Sequence, residues 1–312
     1  MSHSAKILIT DDVHPLLKEG LERDGFIVDE RPNISREEVL QIASTYHGIV
    51  INSRIVADKE LLDKATDLKF VCRAGSGLEV IDLEFAKARN IIAFNSPEGN
   101  RNAVAEHALG MLLNIMNNIS RSYVQVKNKE WIREANRGSE LRGKTIGLIA
   151  YGNTAQSLAK LLIGFNVTIL AYDKYYHGFT NDFVHESSLD VIFDKCDVVS
   201  IHLPLTAETN NMIDYKFLSS FRRPIWLINT SRGKVLKTSD LIKCIEERRV
   251  LSAALDVLEN ENLNALNKEQ EECFNQLIQD NRILITPHIA GWTHESKRKI
   301  AEVLLSKIRS IS

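Results

Sequence analysis

No stretch of this 312-residue chain is apolar over the ~20 residues needed to cross a bilayer, which excludes an α-helical membrane span. The opening MSHSAKILIT enters a strand-like run at once, without the apolar stretch of a signal peptide, so no export signal is expected. Cysteine is scarce and scattered, at Cys72, Cys196, Cys244 and Cys273, with no CxxC pair. That spacing excludes a disulfide framework and a thiolate zinc site, and it points to a reduced cytoplasm. Charge of one sign never accumulates: 39 basic and 41 acidic residues are mixed along the chain and leave a net charge of −2. There is no basic face for nucleic acid and no acidic tail. Repeats and low-complexity tracts are also missing.

Short β-branched runs alternating with amphipathic segments are abundant. KILIT (6–10), FIVDE (26–30), GIVIN (48–52), KFVCRAG (69–75) and IIAFN (91–95) read as a first set of strands. TIGLIAYG (145–152), VTILAYD (167–173), VVSIHLPL (198–205), WLINT (226–230), LSAALDV (251–257) and RILITPH (282–288) read as a second. Alternation of β and α over the whole length predicts α/β architecture with two doubly wound parallel sheets. Residues 102–132 form a long helical pattern without a strand, which predicts a crossing from the first domain into the second. After His288 only one helix remains. With no sheet of its own, it is expected to return to the first domain. The predicted division is 1–102 with 288–312 against 103–287, with the active-site cleft between them.

Three polar residues close three of the apolar runs. Arg232 ends IWLINTSRG, Glu261 follows LSAALDVLENE, and His288 ends RILITPH. Ligands of open α/β sheets bind beyond the carboxyl ends of the strands. A cation, a carboxylate and an imidazole gathered there suit hydride-transfer chemistry on a keto or hydroxy acid. Glu259 competes with Glu261 on the same loop.

TIGLIAYG followed by NTAQSLAKLLIG has the layout of a dinucleotide-binding βα turn, and Asp173 ends the next strand. Where GxGxxG is expected the chain reads Ala150-Tyr151-Gly152-Asn153-Thr154-Ala155, keeping only the central glycine. If the turn needs positive φ at Ala150, the strain is on the order of 1 kcal/mol. Asp173 favours NAD over NADP, because a carboxylate pairs with a ribose 2′-hydroxyl and repels a 2′-phosphate. Lys174 beside it works the other way.

With those residues placed, the chain resembles the D-2-hydroxyacid dehydrogenases over nearly its full length. The resemblance rests on residues 73–113, RGKTIGLIAYG, INTSRGKVL, SAALDVLENE and TPHIAGWT. The RAGxG and PEGN segments look most like the phosphoglycerate dehydrogenase branch, in a short form without the regulatory domain. The family implies a Rossmann-type NAD-binding domain inserted in a flavodoxin-like substrate domain. It also implies Arg232 on the substrate carboxylate and C2 oxygen, His288 as acid/base, and Glu261 as the carboxylate that orients His288. Arg73 and the backbone at Gly75, Ser76 and Gly77 would grip the substrate together with Arg232 and His288. Gly152, Asn153, Thr154, Asp173, Thr230, Ser231, Asp256, His288 and Ala290 would contact NAD. Departures are Ala150, Ala155, Leu203, Asn262 and Asn52. At position 52 phosphoglycerate enzymes often carry an arginine, and Arg54 or Arg73 is expected to compensate.

The plainer readings are kept for other residues: Glu106 and His107 as structural, His202 as a core or cleft-wall histidine, and Trp292 as packing. The expected activity is NAD-dependent oxidation of a D-2-hydroxy acid, first D-3-phosphoglycerate at the entry to serine synthesis. Hydroxypyruvate or glyoxylate reduction is the alternative within the family, and a non-catalytic NAD(H) sensor the alternative outside it. The expected partner is a small 2-hydroxy or 2-keto acid, in a cytoplasmic homodimer built on apolar surface left over on the long helix.

Overall fold

The computed structural model describes residues 5–311. The chain divides into two compact units, Met1–Ala103 with Trp292–Ser312 and Val104–Gly291. The first boundary falls one residue from the predicted one, and the second falls four residues later. His288 through Gly291 therefore belong to the second unit, because the Asp256 carboxylate accepts the Ile289 and Ala290 N–H groups, each at 2.9 Å.

In the first unit β1 (Lys6–Ile9), α1 (Pro15–Arg23), β2 (Ile27–Glu30), α2 (Arg36–Ile42) and β3 (Gly48–Ile51) are followed by α3 (Lys59–Lys64), β4 (Phe70–Arg73), α4 (Leu83–Ala88) and β5 (Ile92–Phe94). All pairings are parallel, in the order β2-β1-β3-β4-β5, the flavodoxin-like arrangement. Alternate residues of one strand enter different cores. Ile7 and Ile9 pack on Leu17 and Leu21 of α1, whereas Leu8 packs with Val39, Ile49 and Ile51 on the other face. A strand buried on both faces reads as a continuous apolar run, which is why these strands are visible in the sequence. The last helix packs on this unit: Leu304, Leu305 and Ile308 join the core of Ile7, Ile9 and Leu17.

α5 (Pro97–Asn117) runs from the first unit into the second. The helical pattern of 102–132 breaks at Asn118, which is left-handed at φ 55°, and α6 (Ile119–Lys127) follows. Asn114 holds the break, its Oδ1 accepting the Ser120 N–H at 3.0 Å.

The second unit continues with β6 (Thr145–Ile149), α7 (Asn153–Leu162), β7 (Thr168–Tyr172), β8 (His185–Glu186), α8 (Leu189–Lys195) and β9 (Val198–Ile201). Then come α9 (Tyr215–Ser219), β10 (Ile225–Asn229), α10 (Thr238–Glu246), β11 (Val250–Leu255), α11 (Lys268–Gln279) and β12 (Ile283–Ile285), before α12 (His294–Arg309) in the first unit. The sheet is parallel, ordered β12-β11-β10-β9-β6-β7-β8. Counted from β6 this is the doubly wound Rossmann order, extended by one strand. Its topological switch point lies between β6 and β9. Each of the eleven runs read as strands contains one; the two-residue β8 is the addition. No described helix is long and apolar enough to cross a membrane.

Candidate active site

The turn after β6 is the first element of the site, at the switch point. Ala150 is left-handed, at φ 69°, so the strain expected from the missing first glycine is present. α7 starts from Gly152, which offers no side-chain cap and leaves the first N–H groups of the helix for an anion. A β-carbon built on Gly152 meets no protein atom within 4 Å, and its φ of −83° suits any residue. The protein itself does not require glycine there, but close approach of a pyrophosphate does.

Asn153 and Thr154 open α7. Thr154 Oγ1 lies 3.1 Å from His202 Nδ1, and Ser200 Oγ lies 2.9 Å from His202 Nε2. Ser200 is fully buried and has no other side-chain hydrogen bond among the described residues, so its proton must point at Nε2. The ring proton is then on Nδ1 and faces Thr154, whose own hydroxyl proton is left to donate elsewhere. Burial pushes the His202 pKa down to about 4, which keeps the imidazole neutral.

Asp173 follows β7. Its Oδ2 accepts the Tyr151 N–H at 2.8 Å, and its Oδ1 accepts the Tyr175 and Tyr176 N–H groups at 2.9 Å each. Burial works against its ionised form, but these three donors outweigh that and hold the pKa below the ordinary carboxylate value.

At the other half of the sheet, β10, β11 and β12 are neighbours, and their carboxyl ends carry the Arg, Glu and His residues. The fully buried Asn229 shapes the first loop: its Oδ1 accepts both the N–H and the hydroxyl of Ser231, and its Nδ2 donates to the Arg232 carbonyl at 3.1 Å. Ser231 is thereby committed to its own turn. Thr230 Oγ1 is buried without any hydrogen-bond partner, as expected of a group kept for a ligand. Next to Arg232, Gly233 lies against the backbone at Leu258 and Glu259, so the arginine turn and the loop bearing Glu261 are in contact.

His288 Nδ1 lies 2.8 Å from Glu261 Oε2, and both side chains are about half exposed. A carboxylate only accepts, so Nδ1 carries a proton, and Nε2 has no hydrogen-bond partner among the described residues. Glu259 is engaged elsewhere, accepting the Thr238 N–H at the start of α10 at 3.2 Å. His288 has φ 54°, a left-handed conformation that costs on the order of 1 kcal/mol in a residue other than glycine. Its N–H donates to the Asp256 carbonyl at 2.8 Å. The Asp256 side chain is almost fully buried and accepts from Thr286 Oγ1 at 2.6 Å as well as from the Ile289 and Ala290 amides. Asp256 and Ala290, both expected to contact NAD, thus meet each other, and Asp256 organises the loop that presents His288. His107 joins this network, its Nε2 lying 3.0 Å from Thr286 Oγ1. A histidine mid-helix, 179 residues away in the chain, gave no local sign of that contact.

In the first unit, Gly75 sits between the Arg73 guanidinium and the Asn52 carboxamide. The Ser76 carbonyl accepts Asn95 Nδ2 at 2.6 Å, and Ser76 Oγ donates to Asn100 Oδ1. This tethering holds Gly75, Ser76 and Gly77 in a turn. Arg73 donates to the Gly77 carbonyl at 2.9 Å and lies 3.5 Å from Glu79. Arg54 donates to the carbonyls of Thr10, Pro32 and Ile34 and pairs with Asp11, so its donors serve its own unit.

A family model described as the D-isomer specific 2-hydroxyacid dehydrogenase, NAD binding domain, matches residues 109–290. A hydroxypyruvate reductase of Thermotoga maritima is 31% identical over 276 residues, covering 88% of each chain. A D-3-phosphoglycerate dehydrogenase of Archaeoglobus fulgidus is 29% identical over 97% of this chain, which spans only 56% of that protein. A solved glyoxylate reductase from Paecilomyes thermophila shares the fold, with a TM-score of 0.87 and 23% identity over 98% of this chain and 95% of its own.

Proposed function

Since the chain belongs to the D-isomer specific 2-hydroxyacid dehydrogenase family and is an NAD-dependent oxidoreductase of CH–OH groups, we propose that it reduces a small unphosphorylated 2-keto acid of the hydroxypyruvate or glyoxylate kind. The carrying observation for the chemistry is the hydrogen bond between His288 and Glu261 at the strand ends where Arg232 also lies. The chemistry a bound NADH would supply is a hydride for the substrate. Arg232 holds the substrate carboxylate and polarises the C2 oxygen with a planar, always charged donor pair. His288, protonated on both ring nitrogens, delivers its Nε2 proton to that oxygen and keeps its Nδ1 proton on Glu261, completing the hydroxy acid. Glu261 holds the ring so that Nε2 faces the substrate. Gly152, Asn153, Thr154, Asp173 and Thr230 form the dinucleotide site.

The commitments of Arg54 and Arg73, with asparagine at position 52, support the unphosphorylated substrate. A phosphate needs a free cation, and these arginines are held by their own unit. The similarity to phosphoglycerate dehydrogenases keeps D-3-phosphoglycerate as the second reading. Loss of NADH absorbance with hydroxypyruvate, glyoxylate and 3-phosphohydroxypyruvate in parallel decides between them. Preference for the phosphorylated acid would overturn the first reading, and turnover that survived His288→Ala would overturn the mechanism. NADH binding without turnover on any acid would instead favour a sensor.

The homodimer is proposed from exposed apolar residues of the second unit. They lie on α6 and just beyond it rather than on α5: Ile119, Tyr123, Val124, Val126, Trp131 and Ile132. Light scattering tests it, and a monomer at micromolar concentration would exclude it.

A further inference from the structure

The loop after β7, where the adenosine ribose of a dinucleotide would lie, carries two side chains able to be cations, and both are held by acids. Lys174 Nζ donates to Glu208 Oε1, and Tyr175 OH donates to Glu208 Oε2 at 2.6 Å. His177 Nδ1 lies 2.9 Å from Glu186 Oε1, while Glu186 Oε2 accepts the Gly178 N–H at 2.7 Å. Asp173 adds a third carboxylate. No arginine occurs between Asp173 and Ser187. The Glu208 pair shifts the two groups in opposite directions, its hydrogen bond raising the pKa of Lys174 and lowering that of Glu208.

A 2′-phosphate brings roughly two negative charges and strong acceptor oxygens, so it needs a free cation where NAD has a hydroxyl. Lys174, next to the ribose acid, is the residue placed to supply one. We propose that Glu208, on the loop after β9, is a cofactor-specificity residue: by holding Lys174 and Tyr175 it withholds the cation a 2′-phosphate requires and adds a carboxylate of its own, so the site accepts NAD(H) and rejects NADP(H). Specificity here comes from a repulsive element as much as from an attractive one. The assignment depends on the dinucleotide site described above and makes one acid, 34 residues from Lys174, the controlling group.

The test is the dissociation constants of NADH and NADPH, read by nicotinamide fluorescence without turnover, for the wild type, Glu208→Gln, Glu208→Ala, Lys174→Ala and the double variant Lys174→Ala/Glu208→Gln. Either change at Glu208 tightens NADPH at least fivefold relative to NADH, and the double variant loses that gain. Lys174→Ala alone leaves the ratio as in the wild type, because the ammonium is already neutralised. An unchanged ratio in both Glu208 variants overturns the proposal, as does a gain that survives in the double variant. A large loss of NADPH binding in Lys174→Ala overturns it independently of any change at Glu208. Wild-type protein that bound neither nucleotide would sink the dinucleotide reading itself, whereas failure of the Glu208 proposal leaves NADH binding intact.

Discussion

A β-carbon on Gly233 would stand 1.8 Å from the carbonyl oxygen of Leu258, closer than any two such atoms can come. The turn after β10 and the loop after β11 therefore touch backbone to backbone, and only glycine permits it. Gly233→Ala must displace one loop or the other. The expected cost is about 3 kcal/mol in chemical denaturation, with loss of activity in whatever protein remains folded. A variant with wild-type stability and activity would show that the loops separate freely.

The left-handed Ala150 is strained where the fold's usual glycine would not be. Ala150→Gly is expected to stabilise the protein by up to about 1 kcal/mol, offset in part by the freer unfolded chain. A raised melting temperature checks this, and a lowered one would refute it.

His288 and Glu261 are expected to differ in what their loss does. His288→Ala removes the proton donor and should lower kcat by roughly 100- to 10,000-fold. Glu261→Gln keeps the size and a hydrogen bond but loses the charge. Its kcat should fall less. Equal and complete loss in both would place Glu261 in direct contact with the chemistry.

His202 gives a stability signature in pH. Its pKa is about 4 in the fold against 6.5 in the unfolded chain, so between those values only the unfolded chain binds the proton. The contribution is complete above pH 6.5 and is lost as pH falls toward 4, up to about 3 kcal/mol. Denaturation of the wild type and His202→Gln at several pH values isolates it. A difference between the two that stays constant from pH 7 to 4 would exclude it.

The sequence by itself determined the parallel sheets, because strands buried on both faces must be continuously apolar, and runs such as GIVI and TIGLI admit little else. It also determined that Arg232, Glu261 and His288 follow successive strands. It could not reveal β8, whose two residues have no pattern, nor the break at Asn118, which Asn114 holds from the preceding turn. Local sequence does not separate Glu261 from Glu259, two residues apart. Their partners do, at His288 and Thr238. The same holds for Arg54, turned onto backbone carbonyls, and for Glu208, placed on Lys174. Tertiary structure alone decided these, because a side chain's role follows from the groups that claim its donors and lone pairs, and those groups come from distant parts of the chain.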